Sequence, residues 1–162
     1  MDNLECFHVW LLQHTKEDYQ SHVQIKKLAK ATYYAYAGFY IPYASVDEYR
    51  KRTSMTIRGV FCDERGVFSN RGWDYFANID YFSDTKKAKL VDNQVDPRVR
   101  RQGIGSLGLT YVKDILQNFG CKELSGHKNP IPNTAEEMKT LTLFYENNGF
   151  INLPVNKILY KF

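Results

Sequence analysis

The chain has 162 residues, of which 43% are hydrophobic and 25% charged, and its formal net charge is +4. This length suits one domain over residues 1 to 162 with a substantial core, and the composition argues against a disordered chain. The longest apolar runs are too short for a membrane span. The acidic start, Met1 to Glu5, lacks the basic stretch of a signal peptide. The modest net charge does not by itself favour binding to nucleic acid. We therefore expect a cytoplasmic protein that does not bind membranes and whose net charge does not by itself imply nucleic acid as a partner.

The cysteines and histidines predict no metal site. Cys6, Cys62 and Cys121 are far apart and have neither zinc nor redox spacing. The four histidines form no ligand pattern with neighbouring carboxylates. We expect free thiols in a reducing compartment.

In the N-terminal part, an apolar run and two capping signals predict a strand followed by two helices. Residues 7 to 12 are rich in Val, Trp and Leu, which favours a short strand. Thr15 and Ser45 each precede an acidic residue three positions later, the form of a capping box. We therefore expect a helix over residues 15 to 37, ending before a glycine, and a short helix over residues 45 to 52.

The rest of the chain alternates strand and helix patterns. Strands are predicted over residues 55–62, 73–82, 88–95, 122–125 and 158–162, with a turn at 63–66 and helices over 106–119 and 134–149. The predicted order is β, α, α, β, β, β, α, β, α, β.

A glycine-spaced turn joins the strand that ends at Val95 to the helix that follows. It reads Arg100-x-x-Gly103-x-Gly105. A turn at a helix start leaves backbone N–H groups without partners at the positive end of the helix dipole, which favours a phosphate. The dinucleotide fingerprint and the nucleotide P-loop are both absent, and a short glycine spacing alone is a weak signal, so the interpretation of the turn depends on the elements that follow it.

After this turn come a strand, a helix and the segment Leu-Phe-Tyr-Glu-Asn-Asn-Gly-Phe at residues 143 to 150. This succession resembles the GCN5-related N-acetyltransferase (GNAT) family. The resemblance covers residues 88 to 151 well and the N-terminal half only by element order. It implies a single-domain α/β fold of the acyl-CoA N-acyltransferase type, with a mixed, mostly antiparallel sheet and helices on both faces. It also implies acetyl-CoA as co-substrate.

The resemblance assigns coenzyme-binding roles along the strand and the turn. In the family, pantetheine lies in a gap beside the strand that precedes the phosphate turn. Relatives often carry an Asn at the position of Met138, so Asn133 is the candidate for that role here. The implied coenzyme contacts are Asn93, Gln94, Val95, Arg100, Arg101, Gln102, Gly103, Ile104, Gly105, Ser106 and Asn133.

Simple strand alternation predicts which of these side chains share a face. It places Asp92 and Gln94 on one face, with Val91, Asn93 and Val95 on the other. Arg98 adds a third positive charge to those of Arg100 and Arg101 around the turn. This cluster either meets coenzyme phosphates or forms a solvated basic loop.

Tyr145 and Asp92 are the catalytic candidates. In relatives, the Tyr of the corresponding segment lies near the coenzyme sulfur, where an acid helps a thiolate to leave. The alternative for Tyr145 is core packing beside Leu141 and Phe144. Asp92 is the candidate base that accepts the proton of the amine. The alternatives are that a water chain accepts this proton, or that Asp92 only lies at a solvated strand end. Asp96 is the other carboxylate near this strand in sequence, and Asp74, Asp80 and Glu146 are more distant candidates.

An aromatic run points to the acceptor side. Six of the eleven residues from Tyr33 to Tyr43 are aromatic. The run either packs in the core or forms a wall for a cationic amine. Asp47 and Glu48 either add negative potential there or serve a helix start.

These observations predict an acetyl-CoA-dependent N-acetyltransferase that acts on a primary amine by direct transfer in a ternary complex. Two alternatives stay open. In the first, the acceptor amine belongs to a macromolecule, such as a protein N-terminus, a lysine or an aminoacyl-tRNA. In the second, the protein binds coenzyme A without catalysis. A homodimer is also open.

Overall fold

The computed structural model describes residues 2–28, 34–69 and 73–162, and its strands join in one sheet. The helices are α1 (Asn3–Gln13), α2 (Ile104–Asn118) and α3 (Ala135–Asn147), with short 3-10 helices at Glu17–His22 and Pro97–Val99. The strands are β1 (Gln24–Lys27), β2 (Tyr36–Asp47), β3 (Arg52–Cys62), β4 (Tyr75–Phe82), β5 (Lys87–Val95), β6 (Glu123–His127), β7 (Ile151–Leu153) and β8 (Lys157–Lys161).

The sheet is mixed and mostly antiparallel, as predicted. Its strand order is β1-β2-β3-β4-β5-β6-β8-β7, and β5–β6 is its parallel pair. Within the described part of the chain, no helix is both long and apolar enough to cross a membrane.

Helices cover both faces of the sheet, which confirms the predicted layering. Phe7 and Leu11 of α1 pack with Tyr40 of β2 in one cluster. Leu109 of α2 lies in the larger cluster on the other face, together with Phe39 of β2. Consecutive residues of β2 are therefore buried on opposite faces, since side chains alternate along a strand.

The predicted strand over residues 7 to 12 is wrong, because these residues belong to α1. Asp2 caps the helix: its Oδ1 accepts from the Glu5 backbone N at 2.7 Å, and the Glu5 carboxylate accepts from the Asp2 N at 2.8 Å. Phe7 and Leu11 are one turn apart and both fully buried. A four-residue spacing of buried side chains indicates a helix rather than a strand.

The predicted helix over residues 15 to 37 is also wrong. The Thr15 hydroxyl donates to the Leu11 carbonyl at 2.5 Å and so closes α1 instead of capping a new helix. A 3-10 helix, β1 and the start of β2 follow. Gly38 lies within β2 beneath α1, where a Cβ would come within 2.6 Å of Leu11 Cδ1. Residues 29–33, including Tyr33, lie outside the described residues.

The predicted helix over residues 45 to 52 is a hairpin. Ser45 pairs with Ser54 across β2 and β3, so it does not cap a helix. The Asp47 carboxylate accepts from the Arg50 backbone N at 3.1 Å and closes the turn.

The remaining predicted elements are confirmed. The turn at residues 63–66 is closed by a bond of 3.0 Å from the Gly66 N to the Asp63 O. Helix α2 begins at Ile104, two residues before its predicted start, and Thr134 caps α3 as its sequence signal indicates. The short strand β7 was not predicted.

A β-bulge interrupts β5 at Val91. Leu90 pairs with Ile79 and Asp92 with Asn78, so Val91 is an extra residue against β4. Its side chain is 54% exposed. The predicted grouping of Val91 with Asn93 and Val95 is therefore wrong, because the bulge reverses the alternation at this point. Leu90 and Asn93 consequently share the face that α2 covers.

Candidate functional site

Strands β5 and β6 separate part-way along their length. They pair from Lys87–Glu123 to Leu90–Gly126, and no β6 partner is described for residues 91–95. At the fork the backbones are close, since a Cβ on Gly126 would lie 3.2 Å from the Leu90 O. Beyond the fork, the β6-facing edge of β5 can accept an extended ligand.

The glycine turn lies at the end of this free edge. Gly103 has φ +86°, precedes Ile104 at the start of α2 and makes no side-chain cap. Leu107 N donates to Gly103 O at 3.1 Å as the first helical bond, so the N–H groups of Ile104, Gly105 and Ser106 precede the helical ladder. A Cβ on Gly103 would meet nothing within 4 Å. The turn therefore offers an open group of donors at the positive end of α2.

The three arginines near the turn differ in their partners. Arg98 binds back to Asp96, with Nε to Oδ1 at 3.1 Å and a second guanidinium nitrogen to Oδ2 at 3.0 Å. Arg100 is exposed, and its Nε donates to the Val95 carbonyl at 3.3 Å. Arg101 is exposed beside the turn, and Gln102 is partly exposed there. Arg100 and Arg101 are thus better placed than Arg98 to receive an anion.

Contacts between α2 and α3 hold the turn in place. A Cβ on Gly105 would lie 3.3 Å from both the Phe144 ring and Val95, so glycine permits this packing. The Ser106 hydroxyl accepts from the Asn148 side chain at 3.2 Å. The start of α2, the end of α3 and the end of β5 therefore meet at one place.

The Tyr145 hydroxyl lies at this junction. The residue is only 3% exposed, and its Oη accepts from Asn93 Nδ2 at 3.3 Å. Burial raises the pKa of Tyr145, and the Asn93 donor partly offsets this by stabilising the phenolate. Tyr145 therefore keeps its proton at neutral pH. Its ring also packs edge-on against Phe144 and Phe150, so it serves the core as well.

Asp92 lies on the opposite face of the sheet from Tyr145. It pairs with Asn78, whose side chain accepts from the Thr56 hydroxyl at 2.9 Å on that face. Its Oδ1 accepts from Gln94 at 3.4 Å. The structure therefore does not bring the two catalytic candidates into contact.

The other carboxylates considered as bases have local partners. Each carboxylate accepts a hydrogen bond from a nearby donor: Asp74 from the Phe61 N at 2.8 Å, Asp80 from the Ser54 hydroxyl at 2.7 Å, Asp96 from Arg98 at 3.0 Å, and Glu146 from the Asn152 amide at 3.0 Å.

Asn133 lies away from this junction. It is exposed and precedes Thr134, the residue that caps α3. Helix α3 begins at Ala135, ten residues before Tyr145, and this separation is about 15 Å along the helix at 1.5 Å per residue. The structure therefore does not place Asn133 with the strand and turn residues, and its role in coenzyme binding stays a prediction.

The aromatic run serves mainly the core. Phe39 and Tyr40 are buried, and Tyr34 stacks on Phe61 with ring centroids 4.7 Å apart. This confirms the core interpretation for these residues. Tyr43 is 61% exposed beside the Pro42 irregularity in β2, on the same face as Asp92.

Tyr75 belongs to the site but was missed in the sequence. Its hydroxyl donates to Asn93 Oδ1 at 2.6 Å. Strand alternation along β4 predicts an inward ring. Its partner could not be predicted, because the Val91 bulge determines that Asn93 faces it.

Neither a protein-family model nor a curated protein matches this sequence. Solved structures do match it. A Desulfovibrio desulfuricans protein described as an acetyltransferase of the GNAT family has TM-score 0.51 and 17% identity, over 67% of this chain and 68% of that one. A Klebsiella pneumoniae protein described as an acyl-CoA N-acyltransferase has TM-score 0.51 and 13% identity, over 72% and 76%.

A third structure is the PaiA N-acetyltransferase of Thermoplasma acidophilum, solved in complex with coenzyme A. It has TM-score 0.49 and 15% identity over 67% of this chain, and the match spans 61% of its own length. At these identities the matches concern the fold. From its sheet order, its layers and its likeness to the Desulfovibrio and Klebsiella proteins, the chain has the fold of the GNAT acyl-CoA N-acyltransferases.

Proposed function

We propose that this protein is an acetyl-CoA-dependent N-acetyltransferase that transfers the acetyl group directly to a primary amine in a ternary complex. The observation that carries the proposal is the convergence of three features. The free edge of β5, the open turn at Gly103 and the protonated hydroxyl of Tyr145 meet where β5, α2 and α3 come together.

The residues at this junction fit the chemistry of coenzyme A. The N–H groups from Arg101 to Ser106 provide donors for a pyrophosphate, and Arg100 adds a positive charge. The free edge of β5 offers backbone groups of Asn93, Gln94 and Val95 to the amides of a pantetheine arm, in the manner of an added strand. When bound, acetyl-CoA supplies an activated thioester.

Tyr145 is the proposed acid. Its proton is retained at neutral pH, and Asn93 donates to its oxygen rather than accepting from it. The proton is therefore available for a departing thiolate. Asp92, on the face of the sheet opposite Tyr145, is the proposed base for the amine, with water as the alternative.

Direct transfer is favoured over a covalent acyl-enzyme. Burial raises the pKa of the Cys62 thiol to about 11 and also raises the pKa of Cys121. Neither thiol is therefore an activated nucleophile. Cys6 is exposed, but it lies on α1, which packs on the face of the sheet away from α2. All three cysteines are free, which suits a reducing compartment such as the cytoplasm.

Calorimetry with coenzyme A and acetyl-CoA, followed by thiol detection over a panel of amines, tests the proposal. We expect coenzyme binding and amine-dependent release of free thiol. Absence of binding at millimolar coenzyme would refute it. Binding without turnover on small amines, peptides or aminoacyl-tRNA would identify a noncatalytic coenzyme-binding protein instead.

A further inference from the structure

Three polar side chains form a hydrogen-bonded chain through the centre of the site. The Tyr75 hydroxyl donates to Asn93 Oδ1 at 2.6 Å, and Asn93 Nδ2 donates to Tyr145 Oη at 3.3 Å. The three residues come from β4, β5 and α3. Asn93 can take this place because the bulge at Val91 turns its side chain towards α2.

Tyr75 fixes the direction of this chain. It is fully buried, and its ring lies so close to α2 that a Cβ on Gly108 would come within 2.3 Å of its Cζ. Burial raises the pKa of Tyr75 well above its usual range, so its hydroxyl keeps the proton that it donates to Asn93 Oδ1. An amide whose oxygen is already occupied on one side presents its NH₂ group to the other.

We propose that Tyr75 and Asn93 are positioning residues that keep the Tyr145 proton free for a ligand atom. Without Tyr75, the Asn93 amide can rotate and accept the Tyr145 proton through its oxygen. With Tyr75 in place, Asn93 donates to Tyr145, and no described residue accepts the phenol's own proton. The inference rests on the proposed role of Tyr145 as the acid.

The test reads the Tyr145 hydrogen bonds directly in the free protein. Tyrosines labelled at 13Cζ are observed by NMR at neutral pH, and the Tyr145→Phe spectrum assigns the resonance. A phenol that donates its proton to a carboxylate shifts its 13Cζ resonance downfield. We expect this shift in Asn93→Asp, because both carboxylate oxygens are acceptors. A smaller shift in the same direction is expected in Tyr75→Phe.

Tyr81→Phe is the matched control. Tyr81 lies on the same strand and face as Tyr75, and its hydroxyl donates to the Phe119 carbonyl at 2.9 Å, away from Asn93. We expect no change in the Tyr145 resonance or in turnover for this variant. In Asn93→Asp, kcat should fall about 10²-fold, the range for loss of an acid, while the KM for acetyl-CoA stays within about threefold. A purely structural role would leave the Tyr145 resonance unmoved.

An unmoved Tyr145 resonance in folded Asn93→Asp would overturn the inference. If that variant does not fold, Asn93→Leu replaces it, and an unmoved resonance there has the same meaning. The hydrogen-bond inference and the proposed function can each fail without the other. A moved resonance in a protein that binds no coenzyme keeps the hydrogen-bond inference and refutes the function. Turnover that is normal in Asn93→Asp keeps the function and refutes the inference.

Discussion

Substituting Gly103 separates the strain of the turn from its proposed role in binding. Gly103 and Gly120 lie at the two ends of α2, with φ +86° and +77°, and a Cβ on either would meet nothing within 4 Å. Alanine at either position therefore costs only left-handed backbone strain, about 1–2 kcal/mol. For a domain of this size, that corresponds to a fall in Tm of roughly 2–8 °C. Gly120→Ala is thus a control of equal strain, about 22 Å away along the helix.

Only Gly103→Ala should weaken coenzyme binding. Its methyl group would point into the open space in front of the helix N-terminus and push a phosphate away from the backbone donors. Losing one bond to a charged group costs about 1.5–3 kcal/mol, which raises Kd roughly 10- to 150-fold. Gly103→Glu adds a negative charge at the same place and should abolish measurable binding.

The assay is calorimetric titration of coenzyme A into wild type and both alanine variants, with Tm measured on the same preparations. Wild-type affinity in Gly103→Ala would show that the turn does not hold the phosphates. Equal weakening in Gly120→Ala would show that the effect is a general loss of stability.

Three further outcomes follow from the site. Tyr145→Phe should lower turnover by about 10²-fold with little change in acetyl-CoA affinity, and unchanged turnover would return Tyr145 to the core. Arg100→Ala should raise the Kd for coenzyme A while stability changes by about 0.5 kcal/mol or less, whereas unfolding with unchanged affinity would make Arg100 structural. At pH 8, alkylation followed by mass spectrometry should modify only Cys6, because burial raises the pKa of Cys62 to about 11 and raises that of Cys121. A second modified thiol in the folded protein would contradict this.

The C-terminal half of the fold was predictable because its signals are local. The Thr134 hydroxyl caps α3 by accepting from the Glu137 N, and the left-handed Gly103 starts α2 with its carbonyl accepting from the Leu107 N. Such signals need no information about the rest of the molecule.

The N-terminal half was mispredicted where tertiary packing decides the structure. Residues 36 to 41 read as a helix end, but they form a strand buried on both faces between α1 and α2. A strand buried in this way lacks the polar alternation that identifies a half-buried strand. Thr15 and Ser45 both have the capping-box spacing, but neither caps a helix start. The Thr15 hydroxyl closes the end of α1, and Ser45 pairs with Ser54 within a hairpin.

The site was predictable as a region but not as a set of contacts. The segment from Asn93 to Ser106 was identified from its motif, and its assignment to coenzyme binding stays a prediction. The contact of Tyr75 with Asn93 depends on register, which a single bulge changes and which no local pattern at Val91 indicates.

The bulge at Val91 is a place where this strand can lose a residue without changing which side chains face the core. A substitution at Val91 alters one exposed side chain. Leu90 and Asp92 pair with the consecutive residues Ile79 and Asn78. A deletion of Val91 would therefore leave a regular strand in which residues 92 to 95 keep their partners and their faces. The tolerance of this strand to a change in length is thus concentrated at the bulge.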